Sequence, residues 1–331
     1  MHRRTRNTLW IVVAVLVVLA AAIFLRSKAP PEAARLLPES DGIVYVNFRP
    51  LRALVHKQVK PPVRVPDYQQ FVDATGIDWE RDLEEAAVAL HRMPDPNGPN
   101  GPVAYSMVLE GKVNGKRFNE WLEANATSRE SYAGHTVFSI PSNGRTVRVA
   151  RIGYDMVAVS NWPDTEKIHS MLDRHRTAAL PFAGSTLLAQ YYRDVPLLAF
   201  AWGVGEIARP FSESGAIQIF GFQLPLNPDS TIIASLAPVI SAKGVLRLRV
   251  EEIATSEQIA AQQAAALTSL IALARGFTPG LADNAANDSL KQLLKSAEIT
   301  TKNNRVLASA TVSPKLLGGL ASDAGAAQAQ K

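Results

Sequence analysis

The chain contains no cysteine, and this absence removes several kinds of chemistry. Disulfide bridges, cysteine nucleophiles, cysteine zinc sites and lipid attachment through cysteine are all excluded. Histidine is scarce, with 6 in 331 residues, and no His-Glu-x-x-His sequence occurs. The phosphate-binding P-loop, the nucleophile elbow and the Ser-x-x-Lys motif are missing as well. We therefore assign no catalytic, cofactor-binding or metal-ligating residue from the sequence, and we expect no cofactor.

The chain also lacks a basic surplus outside its first residues. Residues 1–28 contain five of the 35 lysines and arginines and none of the 30 acidic residues, so the remainder of the chain is balanced in formal charge. A nucleic-acid-binding protein normally carries excess positive charge on its folded part. We therefore expect no nucleic-acid partner.

One long apolar run is present, at residues 9–25, and its only polar side-chain atom is the indole nitrogen of Trp10. A helix of this length spans about 25 Å, close to a hydrocarbon core of ~30 Å. The run predicts a transmembrane helix that follows a basic cytoplasmic segment, residues 1–8. Because more basic residues precede the run than follow it, we expect the rest of the chain outside the cytoplasm, anchored in the cell (inner) membrane. A cleaved signal peptide with its site at Ala20–Ala22 is the alternative, although its apolar core would be unusually long.

The remaining residues predict an α+β fold of antiparallel sheets, because strands come in hairpins and helices lie between the hairpins. A tether is expected at 26–37, a first α+β domain at 38–210, a linker rich in proline and glycine at 211–229, a second α+β domain at 230–320, and a disordered tail at 321–331. The clearest hairpin joins residues 136–140 and 146–152 through Asn143-Gly144. Helices are predicted at 68–74, 79–87, 116–125, 164–176, 255–275 and 288–295.

Three local patterns could carry chemistry, and in each case we favour a structural interpretation. Residues 203–208 match G-x-G-x-x-A, but Pro210 follows where a dinucleotide site needs a helix. Glu166, His169 and Asp173 share a helical stripe, although a single histidine makes a metal site improbable there. Asp95, Asn97 and Asn100 lie in a turn-rich loop that lacks the closing glutamate of a calcium loop. Scattered serine, histidine and aspartate residues could still converge in space.

Four short segments resemble membrane-anchored bacterial proteins of unknown function: residues 36–38, 42–47, 71–78 and 158–161. These segments are strand and turn patterns, so the resemblance implies architecture and location and supplies no activity.

From these observations we expect a single-pass extracytoplasmic protein with a non-catalytic binding or structural role at the cell envelope. Its expected partners are membrane lipid, through the N-terminal helix, and a protein of the envelope. Two alternatives remain open: an envelope-anchored hydrolase whose site is not visible as a motif, and a carrier of an apolar ligand.

Overall fold

The computed structural model describes residues 29–55, 66–98, 100–177, 184–206, 216–219, 222–225, 230–239, 244–280, 285–313 and 316. The predicted transmembrane helix at 9–25 and the predicted tail at 321–331 lie outside these residues. Within the described ranges, none of the helices combines the length and apolar composition needed to cross a bilayer.

Strands and helices alternate irregularly along the chain. The strands are β1 (Gly42–Asn47), β2 (Leu83–Arg92), β3 (Val103–Gly111), β4 (Ser128–Tyr132), β5 (His135–Ser142), β6 (Arg145–Ile152), β7 (Met156–Ser160), β8 (Ala201–Gly205), β9 (Ala216–Ile219), β10 (Phe222–Pro225), β11 (Thr231–Pro238), β12 (Leu246–Ile253), β13 (Glu298–Lys302) and β14 (Arg305–Val312). The helices are α1 (Glu32–Arg35), α2 (Phe48–Val55), α3 (Pro66–Thr75), α4 (Trp79–Asp82), α5 (Gly115–Asn125), α6 (Glu166–Arg176), α7 (Thr186–Tyr191), α8 (Glu257–Phe277) and α9 (Ala285–Ser296).

Twelve of these strands form one antiparallel sheet, in the order β13-β14-β12-β11-β8-β1-β2-β3-β7-β6-β5-β4. The predicted α+β class with antiparallel pairing is thereby confirmed. Strand β8 lies between β1 and β11 and pairs with both, so strands from the two predicted domains are neighbours in one sheet. The remaining two strands, β9 and β10, pair with each other within the predicted linker. The division into two domains stays a prediction.

Helices pack on both faces of the β7-β6-β5 part of the sheet, where alternate strand residues point to opposite faces. One core contains Tyr45, Ala87 and Val108 from the strands, together with buried residues of α1, α6 and α7. The other core contains Val157 and Phe138 and packs against α3 and α5. Two smaller clusters lie under α8 and α9.

Some elements predicted from local sequence patterns are confirmed by the structure, and others are wrong. The predicted hairpin at Asn143-Gly144 is confirmed, with φ values of 49° and 76° at these two residues. The helix predicted at 79–87 is wrong beyond Asp82, because residues 83–92 pair with both β1 and β3, and this pairing overrides helical propensity. Helix α8 is capped by Ser256, whose side chain accepts from the backbone N–H of Ile259, so it begins two residues later than the predicted 255. Strand β4 was not predicted, since its exposed residues show no apolar alternation.

Candidate functional site

Polar side chains lie at both ends of one face of strands β2 and β3. Residues 85, 87, 89 and 91 of β2 share this face, and the register places Glu110, Val108 and Ser106 of β3 opposite the first three. We call Tyr45, Asn47, Glu85 and Glu110 the open cluster, and His91, Ser106 and Ser160 the sealed cluster. Buried apolar residues separate the two clusters along the strands.

The sealed cluster is a chain of hydrogen-bonded side chains inside the protein. His91 Nε2 lies 2.9 Å from Ser106 Oγ, which lies 3.0 Å from Ser160 Oγ. Ser160 Oγ also accepts a hydrogen bond from the backbone N–H of Trp162, at 3.2 Å. His91 is 3% exposed, and both serines are 0% exposed. Each of these polar groups therefore has a partner where water cannot reach it.

A serine next to a histidine is the pair that a hydrolase uses, but the sealed cluster is poorly suited to that chemistry. A substrate carbonyl must reach the serine oxygen, and Ser106 has no exposed surface. Burial, together with the positive charge of Lys167, lowers the pKa of His91 to about 4. A histidine with so low a pKa is a weak general base at neutral pH. We interpret the sealed cluster as structural.

The open cluster brings two glutamates face to face. Glu85 pairs directly with Glu110 across β2 and β3, a position in which two like charges repel each other. The Asn47 amide donates to Glu85 Oε1 at 3.2 Å. Burial and the nearby charge of Glu85 raise the pKa of Tyr45. The carboxylate of Glu85 is thus held in place by Asn47 of β1.

Glu110 has an altered acidity. Partial burial and the negative charges of Glu85 and Asp155 together raise the pKa of Glu110 to about 7, and Arg49 opposes the increase. Arg49 makes its closer ion pair with Glu84 and lies 3.9 Å from Glu110. A carboxyl group with such a pKa changes its charge near neutral pH, which is common at binding and catalytic sites.

A surface cavity of about 480 Å³ opens onto the open cluster. Trp202 stacks on Tyr45 with ring centroids 5.3 Å apart, and Tyr192 meets the edge of Trp202 at 5.3 Å. We call Tyr45, Tyr192, Phe200 and Trp202, all of which line the cavity, the aromatic wall. The volume and the mixture of aromatic and polar groups are typical of a small-molecule site.

Charge distinguishes this cavity from a larger one, of about 670 Å³, between α5 and the hairpin of β4 and β5. The larger cavity is lined by both arginines and glutamates, so its charges compensate one another. The 480 Å³ cavity is lined by Glu32, Glu85 and Glu110 and by no lysine, arginine or histidine. Its lining is therefore acidic, with Arg49 at 3.9 Å from Glu110 as a partial offset, and it is our candidate functional site.

Two residues of the stripe predicted on α6, His169 and Asp173, contact side chains of strand β4. His169 Nε2 lies 2.7 Å from Glu130 Oε1, and the imidazole stacks on the ring of Tyr132 at 3.6 Å. Asp173 accepts a hydrogen bond from the Tyr132 hydroxyl at 2.8 Å. Among the described residues, no three histidine or acidic side chains are grouped in a way that would hold a metal ion.

The other two sequence patterns have structural explanations where they are described. A Cβ atom on Gly205 would lie 2.4 Å from the backbone oxygen of Asp41, so the close packing of β8 on β1 requires a glycine. Residues 207 and 208 of the same pattern lie outside the described residues. Asp95 accepts from the backbone N–H of Asn97 at 3.0 Å, as expected for a turn.

Sequence reasoning missed every residue of the candidate site. The helix predicted at 79–87 contains both glutamates of β2, and Glu110, the glutamate of β3, was assigned no role. The available signal was the Glu84-Glu85 pair at the start of an apolar run, with Glu110 at the end of another. That pattern does not reveal which residues face each other, because strand register depends on distant parts of the chain.

Neither a protein-family model nor a curated protein matches this chain. Among solved structures, crystal form III of TP0453 is similar, with a TM-score of 0.46 and 10% sequence identity over 89% of this chain and 99% of that chain. Crystal form I of TP0453 gives a TM-score of 0.43 and 10% identity over 89% and 98% of the two chains. The function of the chain is accordingly argued from its own residues.

Proposed function

We propose that the chain is a single-pass, membrane-anchored, extracytoplasmic protein that binds a ligand at the cell envelope without catalysing a reaction. The 480 Å³ cavity is the proposed binding site. The observation that carries this proposal is the position of the cavity, which is lined by Ala29 and Pro31. The predicted transmembrane helix ends at residue 25, and four extended residues span at most about 14 Å. The cavity would therefore lie close to the membrane surface.

Two exposed leucines support a position near lipid. Leu197 and Leu198 line the same cavity and are 61% and 54% exposed. Adjacent exposed leucines are unfavourable in water and favourable at the boundary of a bilayer. The tether and these leucines would then lie on the side of the protein that faces the membrane.

Cell fractionation and a reporter test the proposed location. The full chain should stay in the membrane pellet after an alkaline carbonate wash, and a C-terminal reporter active only outside the cytoplasm should give signal. The matched control carries Leu16→Arg and Val17→Arg, which interrupt the apolar run at an insertion cost of about 2.5–3.5 kcal/mol per residue. Release of the unsubstituted chain by carbonate, or a silent reporter, contradicts the proposal.

Glycoside hydrolysis is a second candidate, and the open cluster is the reason. Glycosidases use a protonated carboxyl group with a raised pKa beside an ionised carboxylate. Glu110, whose pKa is raised, lies opposite Glu85 across β2 and β3, and aromatic side chains often stack on sugars. The purified chain should release reducing ends from soluble glycans if this candidate is correct, and Glu110→Gln should abolish the release. Such an activity would replace the non-catalytic proposal.

A further inference from the structure

The charge of the 480 Å³ cavity indicates what kind of ligand it can hold. Its lining contains three carboxyl groups and no basic side chain. The nearest guanidinium, that of Arg49, is closely paired with Glu84 and is 56% exposed. A neutral or anionic ligand would leave Glu85 and Glu110 repelling each other in a partly desolvated place. A cationic ligand would relieve that repulsion.

The lining also distinguishes an organic cation from a metal ion. Carboxylates that bind a hard metal ion are usually several and are completed by carbonyl oxygens and water. In the described part of the chain, acidic and histidine side chains form no group of three suited to a metal. The exposed side chains of Leu197 and Leu198 instead give the cavity an apolar surface for the carbon atoms of an organic cation, whereas Tyr45 and Trp202 of the aromatic wall are only 3% exposed.

We propose that the cavity binds an organic ammonium group, with the carboxylates of Glu85 and Glu110 as its counter-ions and with Leu197 and Leu198 beside its carbon atoms. Where the ammonium group comes from is a second question, and its answer rests on the proposed function. A cavity within about 14 Å of the predicted membrane exit can reach the amine of a phospholipid headgroup. A soluble amine of the envelope has the same chemistry.

A titration with a charged probe and its neutral counterpart tests the proposal. The full chain is placed in phosphatidylglycerol nanodiscs at pH 8, and binding of n-propylammonium and n-propanol is followed by ligand-observed NMR. Ligands of this size bind in the millimolar range at best, so we expect a Kd on the order of 1 mM for n-propylammonium. Binding of n-propanol should be at least tenfold weaker, and equal binding of the two would overturn the proposal.

Two charge-neutral variants locate the binding site. Glu85→Gln and Glu110→Gln should each weaken n-propylammonium binding about tenfold or more. Glu123→Gln is the matched control, because it removes the same charge from the larger cavity, and it should change the affinity less than twofold. Unchanged affinity in folded Glu85→Gln and Glu110→Gln proteins, or an equal loss in Glu123→Gln, would exclude this cavity.

A measurement without substitutions keeps the test valid if a variant fails to fold. The charged groups that face Glu110 are Glu84, Glu85, Asp155 and Arg49, and a carboxyl group with a pKa of about 7 gains its proton as the pH falls. The unsubstituted chain should therefore bind n-propylammonium several-fold more weakly at pH 5.5 than at pH 8. An affinity that does not change, or that increases at pH 5.5, counts against the carboxylates as counter-ions.

Nanodiscs of a second composition identify the source of the ammonium group. If a lipid headgroup occupies the cavity, replacing half of the phosphatidylglycerol with phosphatidylethanolamine should weaken n-propylammonium binding by competition. Equal affinities in both discs assign the cavity to a soluble amine. A chain that fails the carbonate test is titrated in solution instead, so loss of the proposed location and loss of ammonium binding are separate results.

Discussion

The sealed cluster and the open cluster lie on one face of the same two strands, separated by about 20 Å along β2. The sealed cluster contains a histidine whose pKa is lowered by burial, and the open cluster contains a glutamate whose pKa is raised by burial. Both shifts favour the neutral form. The clusters differ in their surroundings, since protein groups complete the first and a cavity borders the second.

This difference shows why a buried serine and histidine are a poor guide to function here. The sealed cluster has hydrogen-bond partners throughout, so it stabilises a unique packing of β2, β3 and β7. The open cluster has a charge imbalance that the protein itself does not remove. A charge imbalance next to a cavity is more informative about a ligand than the presence of residue types used in catalysis.

The largest effect is expected from removing the histidine of the sealed cluster. His91→Ala leaves a space and takes away one of the two partners of the buried Ser106 hydroxyl, so the free energy of unfolding should fall by about 3–4 kcal/mol. Urea unfolding followed by circular dichroism measures the change. Binding of n-propylammonium at low temperature, where the variant stays folded, should be unchanged. A loss below about 1 kcal/mol would show that the cluster contributes little to stability.

The second prediction concerns acid, and its sign follows from the lowered pKa of His91. Between about pH 4 and 6.5 the unfolded chain binds a proton on this histidine that the folded chain does not, so stability falls as the pH falls. The contribution is on the order of 3 kcal/mol. His91→Gln keeps a hydrogen-bonding group and cannot titrate, so the stability difference between it and the unsubstituted chain should vary with pH over this range. A constant difference contradicts the prediction.

The hairpin turn and the helix cap could be predicted from the sequence, and the two polar clusters could not. The hairpin that joins β5 to β6 was predicted because Asn143 and Gly144 adopt positive φ angles that few other residues tolerate. The cap of α5 is a local feature of the same kind, because the side chain of Asn114 accepts from the backbone N–H of Arg117. These features depend on neighbouring residues alone.

The clusters depend on contacts between distant residues. His91 meets Ser106 across 15 residues, and Ser106 meets Ser160 across 54. The pairing of Glu85 with Glu110 follows an irregularity between Leu83 and Glu85, and a shift of one residue would turn one glutamate to the other face. No local pattern specifies that register, so the candidate site was not predicted.

The third prediction gives the open cluster a pH dependence of opposite sign. Between about pH 4.5 and 7 the folded chain holds a proton on Glu110 that the unfolded chain has lost, so stability falls as the pH rises. Glu110→Gln removes this effect and should be more stable than the unsubstituted chain by about 1–2 kcal/mol at pH 8, since partial exposure reduces the full shift. The two should be equally stable near pH 4. The pH dependences of stability that arise from His91 and from Glu110 have opposite signs. Each contribution is therefore measured as the difference in stability between its variant and the unsubstituted chain.

The smallest expected effects on stability come from removing one hydroxyl group from each cluster. Ser160→Ala should cost about 1–2 kcal/mol, because Ser106 and the backbone N–H of Trp162 lose a partner where water is excluded. Tyr45→Phe should cost less than about 0.5 kcal/mol, because the Glu85 carboxylate keeps its bond from Asn47 and water in the cavity can replace the hydroxyl. Both are measured by urea unfolding at pH 7. A larger cost for Tyr45→Phe would mean that the open cluster is closed to water, and the cavity could not then serve as the binding site.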